Sequence, residues 1–138
     1  MNRDKLKALY LKYELTAEDI FTKEIGEKSF TIITRQGIDK IQGIEKINIS
    51  YEVIQCTPNF SVIRATATKE DARVETFGSA LKGQNYKDGN CQSWYVVEMA
   101  EKRAMSRAVL KLTGFYELGI FGEDESDNFK KTITIKKQ

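Results

Sequence analysis

Histidine is absent from this 138-residue chain, cysteine occurs twice and proline once. Without histidine the usual zinc sites, built from four Cys/His ligands or three plus water, cannot be assembled. Nucleophilic catalysis of the Ser-His-Asp or Cys-His kind likewise has no general base. No apolar run approaches the ~18 residues of a membrane span, so no membrane partner is expected. The opening MNRDKLKALYLKYEL lacks the uninterrupted apolar stretch of a secretory signal. Spacing alone leaves a Cys56–Cys91 disulfide open; with no export segment, the expectation is two reduced thiols in a cytoplasmic protein.

Phosphate-binding and metal motifs are missing as well. There is no GxxxxGK[ST] loop and no GxGxxG, and the glycines of GIDKIQG (37–43) are not followed by Lys-Ser/Thr. The spacing of an EF-hand loop does not occur. Glu123, Asp124 and Asp127 invite a metal-dependent nuclease reading, but they fall in a stretch without a rigid scaffold. No constellation makes the chain an enzyme, and neither a cofactor nor a small-molecule substrate is expected.

What is present is an ordinary globular composition, 41% hydrophobic and 30% charged, in a chain of one-domain length. Basic and acidic residues nearly balance, 22 against 20, for a net charge of +2. That is too mild to announce nucleic acid by itself. The charge is unevenly placed: EDESD (123–127) is followed by Lys130, Lys131, Lys136 and Lys137, which reads as a solvated tail.

The chain orders itself into helices, then strands, then a helix. Leu6, Leu9, Tyr10 and Tyr13 recur at helical spacing, and Thr16–Asp19 has the form of a capping box opening a short second helix to Phe21. Residues 30–33 read as a short strand and 34–42 as a small helix or turn with Ile38 and Ile41 inward. KINISYEVIQC (46–56) alternates, placing Ile47, Ile49, Tyr51 and Val53 on one half-buried face. FSVIRATAT (60–68) and ARVETFGS (72–79) follow after short polar turns, which makes an antiparallel meander the simplest topology. A long polar loop, 80–93, precedes the strongest element, 94–113, with Ser93 as its expected N-cap and Gly114 as its stop. Val97, Ala100, Ala104, Met105, Ala108, Val109 and Leu112 form one apolar arc on that helix, and small Ala100, Ala104 and Ala108 let it lie close on a sheet. Glu101 falls inside the arc, which points to a basic partner or a subunit contact. The TITIK stretch (132–136) reads as an edge strand or as tail.

The expected architecture is therefore α+β. An antiparallel meander of at least three strands packs against one long C-terminal helix, with N-terminal helices ahead of it. One domain spans 1–122, made of a helical part (1–45) and a strand–helix core (46–122); 123–138 is a charged flexible tail.

Such a sheet backed by a helix is a common support for single strands of nucleic acid, whose bases stack on rings while phosphates meet Lys or Arg. Candidate contacts are Lys82, Tyr86 and Lys87 around the loop, Arg64 and Arg73 on the strands, and the helical stripe Arg103, Arg107 and Lys111. Each has a plainer alternative. Arg64 and Arg73 also suit the solvated face of a sheet, and the helical stripe could pair with Glu98 or with a neighbouring subunit. Trp94 and Tyr95 read as core or interface anchors, and Tyr51 as core.

Three meandering strands, a loop and an Ala-rich helix closed by Gly resemble the phage single-strand annealing proteins. These are the Erf-type (essential recombination function) recombinases and their eukaryotic annealing relatives, which share a β-β-β-α core. The resemblance spans about residues 46–127 and is carried by VEMAEKRAMSRAVLKLTG (97–114), by the strand Arg73–Ser79 with Gly78, and by the acidic GEDESD (122–127). It implies a homo-oligomer that binds and anneals single-stranded DNA without ATP, in a host cytoplasm if phage-encoded. Arg103 and Arg107 match the family's basic helix positions. The alternative from the sequence is a phage-type protein-binding module or inhibitor of a host protein, without nucleic-acid activity.

Overall fold

A computed structural model describes residues 3–84, 88–91 and 93–125. Its elements are α1 (Arg3–Lys12), β1 (Ile20–Ile25), β2 (Lys28–Ile33), α2 (Arg35–Glu45), β3 (Asn48–Thr57), β4 (Phe60–Lys69), β5 (Ala72–Leu81), α3 (Val96–Leu112) and β6 (Ile120–Gly122). Short 3-10 turns occupy Tyr116–Leu118 and Glu123–Glu125. The fold is α+β, with the expected antiparallel meander β3-β4-β5 packed on α3 and a second sheet, β1-β2-β6, in which β6 runs parallel to β2. No helix among the described residues is long and apolar enough to cross a membrane.

The meander follows its alternation. Ser61, Ile63, Ala65 and Ala67 of β4 are buried beneath α3, while Phe60, Val62, Arg64, Thr66 and Thr68 lie on the opposite face. Opposed residues of an antiparallel pair share a face. Tyr51 and Val53, opposite Ala65 and Ile63, therefore stand on the α3 side. They are nevertheless 43% and 56% exposed. The expectation of a half-buried first strand with Tyr51 in the core fails because α3 lies over β4 and β5 and stops short of β3. A bulge between Val53 and Gln55 then turns the end of the strand.

Contact between α3 and β5 is unusually close. Ala100, Ala104 and Ala108 are fully buried, as their spacing predicts. A Cβ added at Gly78 would come within 2.5 Å of the Ala104 amide nitrogen and nearer still to the Ala100 carbonyl. Two residues earlier, the Thr76 hydroxyl donates to the Ala104 carbonyl at 2.6 Å. The helix is buried on its other side too, where Ser106 meets β6 at Gly122, so Arg103, Ser106 and Leu110 are buried beyond the predicted arc.

At the N-terminus, α1 seats Tyr10 and Tyr13 on Phe115 at centroid distances of 6.2 and 5.8 Å. Glu45 accepts from the Tyr13 hydroxyl at 2.9 Å and from Lys69, joining α1, α2 and β4. The expected second helix at 16–21 is a turn leading into β1. Half of the capping box does form: Asp19 reaches back to the Thr16 amide at 2.9 Å. Ile20, Phe21 and Thr22 then favour strand over helix, and they pair with β2. The shorter helix is confirmed as α2, capped by Thr34 accepting from the Gly37 amide at 3.1 Å, with Ile38 and Ile41 buried.

The acidic turn is part of the domain. Glu125 is buried, and the Ser106 hydroxyl donates to Asp124 at 3.1 Å. The boundary expected after residue 122 therefore falls inside packed structure. Residues 126–138, including Asp127 and the TITIK stretch, lie outside the described residues.

Two outcomes test this packing. Gly78→Ala should lower stability by about 1–3 kcal/mol through overpacking against α3, read as a lower urea midpoint; an unchanged midpoint would show that the helix does not sit so close. The second concerns Asp19, which is fully buried. Burial alone would raise its pKa, but hydrogen bonds from Lys40 at 2.7 Å and from Thr16 outweigh it and hold the carboxyl below its usual 3.8. Because the folded value is depressed, its contribution is present above about pH 3.8 and is lost as pH falls through the lowered value. Asp19→Asn should therefore cost stability at pH 7, and that cost should shrink below pH 3.8. A cost independent of pH would contradict the assignment.

Candidate nucleic-acid interface

The basic residues selected from sequence divide sharply once placed. Arg103 is 2% exposed. Its Nε donates to the Asp124 carbonyl at 3.1 Å, Nη1 to the Ser79 carbonyl at 2.8 Å and Nη2 to the Asn90 carbonyl at 2.6 Å. A guanidinium offers five donors in a planar fork, and here that fork joins the edge of β5, the end of the 82–91 loop and the turn after β6. Arg103 does not project to solvent as the helical stripe predicted.

Arg107 works in the same direction. Its Nη1 donates to the Phe77 carbonyl at 3.1 Å and its Nη2 to Glu125 at 3.2 Å. Burial pushes the Glu125 carboxyl above the usual carboxylate range, although the Arg107 charge opposes this. The pair is thus an ion pair at the sheet edge between half-buried Arg107 and buried Glu125. Lys111, the third member, remains on the surface with its ammonium 5.4 Å from the Tyr116 ring centre. The three do not form one basic stripe, because the residues at 123–125 fold back over the first two.

Arg64 and Arg73 stand on the sheet face away from α3, and each is paired with a carboxylate on that face: Arg64 with Glu52, and Arg73 with Glu75 at 2.8 Å. Exposed pairs of this kind contribute little to stability and exchange partners readily. Phe77 and Leu81 are exposed on the same face. Tyr86 and Lys87 fall outside the described residues.

Lys82 lies at a different place, at the end of β5 where the loop begins. Its ammonium is 4.9 Å from the Trp94 ring centre. Trp94 and Tyr95 are each 69% exposed, which removes the core half of their reading as core or interface anchors. The reason is local. Ser93 accepts from the Tyr95 amide at 3.0 Å, making a turn, and α3 begins only at Val96 without a side-chain cap. The two rings are therefore in the approach to the helix rather than on its buried arc.

The described ends of the loop behind this cluster are tied together. Asn90 accepts from the Leu81 amide at 2.7 Å, Cys91 donates its amide to the Leu81 carbonyl at 3.1 Å, and Gly83 donates to the Cys91 carbonyl at 2.9 Å. Cys91 is buried and Cys56 exposed, and both are free thiols. Glu123 accepts from the Arg35 amide at 3.0 Å, and Asp124 lies 3.6 Å from the Arg35 guanidinium. The described part of the acidic cluster is thus already engaged, and no group of three metal-ligating side chains occurs among the described residues.

The arrangement offers two flat rings and a cation on a tied base. Stacking and charge can both be supplied there without moving the fold. Arg103→Ala should lower stability by about 3 kcal/mol or more, since three carbonyls lose their donors, whereas Arg73→Ala should stay within about 0.5 kcal/mol of the parent. Thermal melting followed by circular dichroism checks both; equal melting temperatures for the two variants would remove the structural role of Arg103. Comparison with protein-family models, with curated proteins and with solved structures finds no match for this chain.

Proposed function

We propose that this chain binds single-stranded DNA, as a homo-oligomer, and anneals complementary strands without ATP in recombination of the phage type. The observation that carries the reading is the pair of exposed rings, Trp94 and Tyr95, beside Lys82. An exposed indole costs solubility in water, and a base stacked on it recovers about 1–3 kcal/mol. Lys82, 4.9 Å from the Trp94 ring centre, supplies a positive charge beside the stacking surface for a phosphate. Lys111 on the surface and the exchangeable pairs of Arg64 and Arg73 supply further positive charge for a backbone to follow. Arg103 and Arg107 support the surface from within.

A second reading draws on Phe77 and Leu81, exposed on the sheet face away from α3. That face suits a protein-binding module. The two readings separate by experiment. Trp94 is the single tryptophan, so its emission reports the proposed site directly.

Titration with an unstructured oligothymidine should quench that emission. Trp94→Phe with Tyr95 intact should keep most of the affinity, measured by anisotropy of a labelled oligonucleotide. Trp94→Ala with Tyr95→Ala should lose at least about tenfold, as expected for one lost stacking contact. Affinity should fall with salt at a slope of roughly −0.7 per phosphate contacted. Annealing of complementary labelled strands should proceed without nucleotide. No quenching, or equal affinity of the alanine pair, would overturn the assignment and favour the protein-binding reading.

A further inference from the structure

The sheet β3-β4-β5 has two edges, and they are treated in opposite ways. The edge of β5 is closed by its own chain. Phe77 and Ser79 carbonyls take guanidinium donors from Arg107 and Arg103, and Asn90 and Cys91 bond both polar groups of Leu81. A strand could not add there over 77–81 without displacing these groups.

Over residues 49–53, ahead of its bulge, β3 carries few of the devices that discourage strand addition. It is ten residues long and is the other terminal strand of its sheet. It contains no lysine and no proline, and its one charge, Glu52, is tied to Arg64. Natural sheets blunt free edges with charge, proline or cover, because unpaired backbone groups recruit other strands. The exposed edge strand of the second sheet, β1, does carry Lys23 and Glu24. On the α3 side of the sheet Tyr51 and Val53 also remain 43% and 56% exposed, Tyr51 lying within reach of the Glu101 and Arg35 charges.

We infer that β3 is a docking edge for β3 of a second copy, the two strands running antiparallel about a two-fold axis through Tyr51. The occupant follows from complementarity. With that axis, exposed Tyr51 faces the partner's Tyr51, and exposed Val53 faces the partner's Ile49, which is half-buried on its own core. On the other face Ser50 lies opposite the partner's Glu52, and no like charges oppose. Centring the axis on Glu52 would instead set two carboxylates against each other, which is unfavourable for a directly opposed pair. A head-to-tail arrangement along the full length of β5 is blocked by the closed stretch 77–81, whereas β3 pairing with itself about a two-fold axis is isologous and self-limiting. Each α3 stays over its own β4 and β5, which leaves the seam clear. The bulge after Val53 ends the ladder, so it spans about residues 49–53. Such a short seam gives a dimer that dissociates on dilution. The inference goes beyond strand binding and stands without it.

The test uses the full chain. Sedimentation equilibrium should show a mass rising with concentration from one chain to two. Val53→Lys should weaken the dimer at least tenfold while its melting temperature matches the parent. In a Cys56→Ser background, Tyr51→Cys should cross-link to itself under mild oxidation with diamide. Directly opposed residues lie within disulfide reach. Ser50→Cys alone should not cross-link, because its partner position is two residues away, roughly 6.6 Å along the strand; Ser50→Cys with Glu52→Cys should. A chain that remains monomeric at every concentration, a dimer indifferent to Val53→Lys, or equal cross-linking of Ser50→Cys and Tyr51→Cys would each overturn the inference. A monomer that still quenches with oligothymidine would sink this seam and leave strand binding standing.

Discussion

The approach of α3 to β5 is the constraint on which the other features rest. Helix and strand backbones come within a distance that admits no side chain at Gly78 and only methyl groups at Ala100 and Ala104. Thr76 fixes the rotation of the helix by donating to the Ala104 carbonyl. With the axis held there, Arg103 and Arg107 come to the height of the β5 edge, one turn apart, and meet the alternate outward carbonyls of Phe77 and Ser79. The same placement withdraws the helix from β3. One close contact thus decides which edge of the sheet is sealed and which is left bare.

Arginine serves as mortar here. Stripes of guanidinium groups at helical spacing are normally read as surfaces for anions, and the spacing is real. What inverts its meaning is the turn at Glu123–Glu125, which brings main-chain and carboxylate acceptors over the stripe. The Arg107–Glu125 pair sets a buried carboxylate against a half-buried guanidinium, and the desolvation of such a carboxylate offsets much of its ionic attraction. Its value lies in geometry. It fixes the chain after β6 against a strand edge that would otherwise invite another strand.

Much of the fold was legible because periodicity reports burial directly. The three strands and their faces, the alanine arc, the α2 helix with Ile38 and Ile41, and the stop at Gly114 all follow from local pattern. The misses have local patterns too, overridden from a distance. Thr16–Asp19 made its capping hydrogen bond but was continued by β-branched residues into β1. Tyr51 and Val53 alternate as core residues do, and nothing near them in sequence states that the helix stops short. The site was less legible than the fold. Arg103 and Lys111 look alike in sequence, and only the returning acidic turn separates them. Trp94 and Tyr95 were anchored in expectation by their size, whereas the late start of α3 leaves them outside.

The parallel seam between β2 and β6 has a consequence for how this molecule is made. Thr31 is matched with Ile120, and Ile33 with Gly122, across most of the chain. The meander can pair strand by strand as it is synthesised, but the smaller sheet must wait for nearly the last described segment. Contacts of such long range slow the search for the native state. Until they close, the partly folded protein offers an open β1–β2 hairpin with an unpaired border at β2, a standing invitation to wrong pairing.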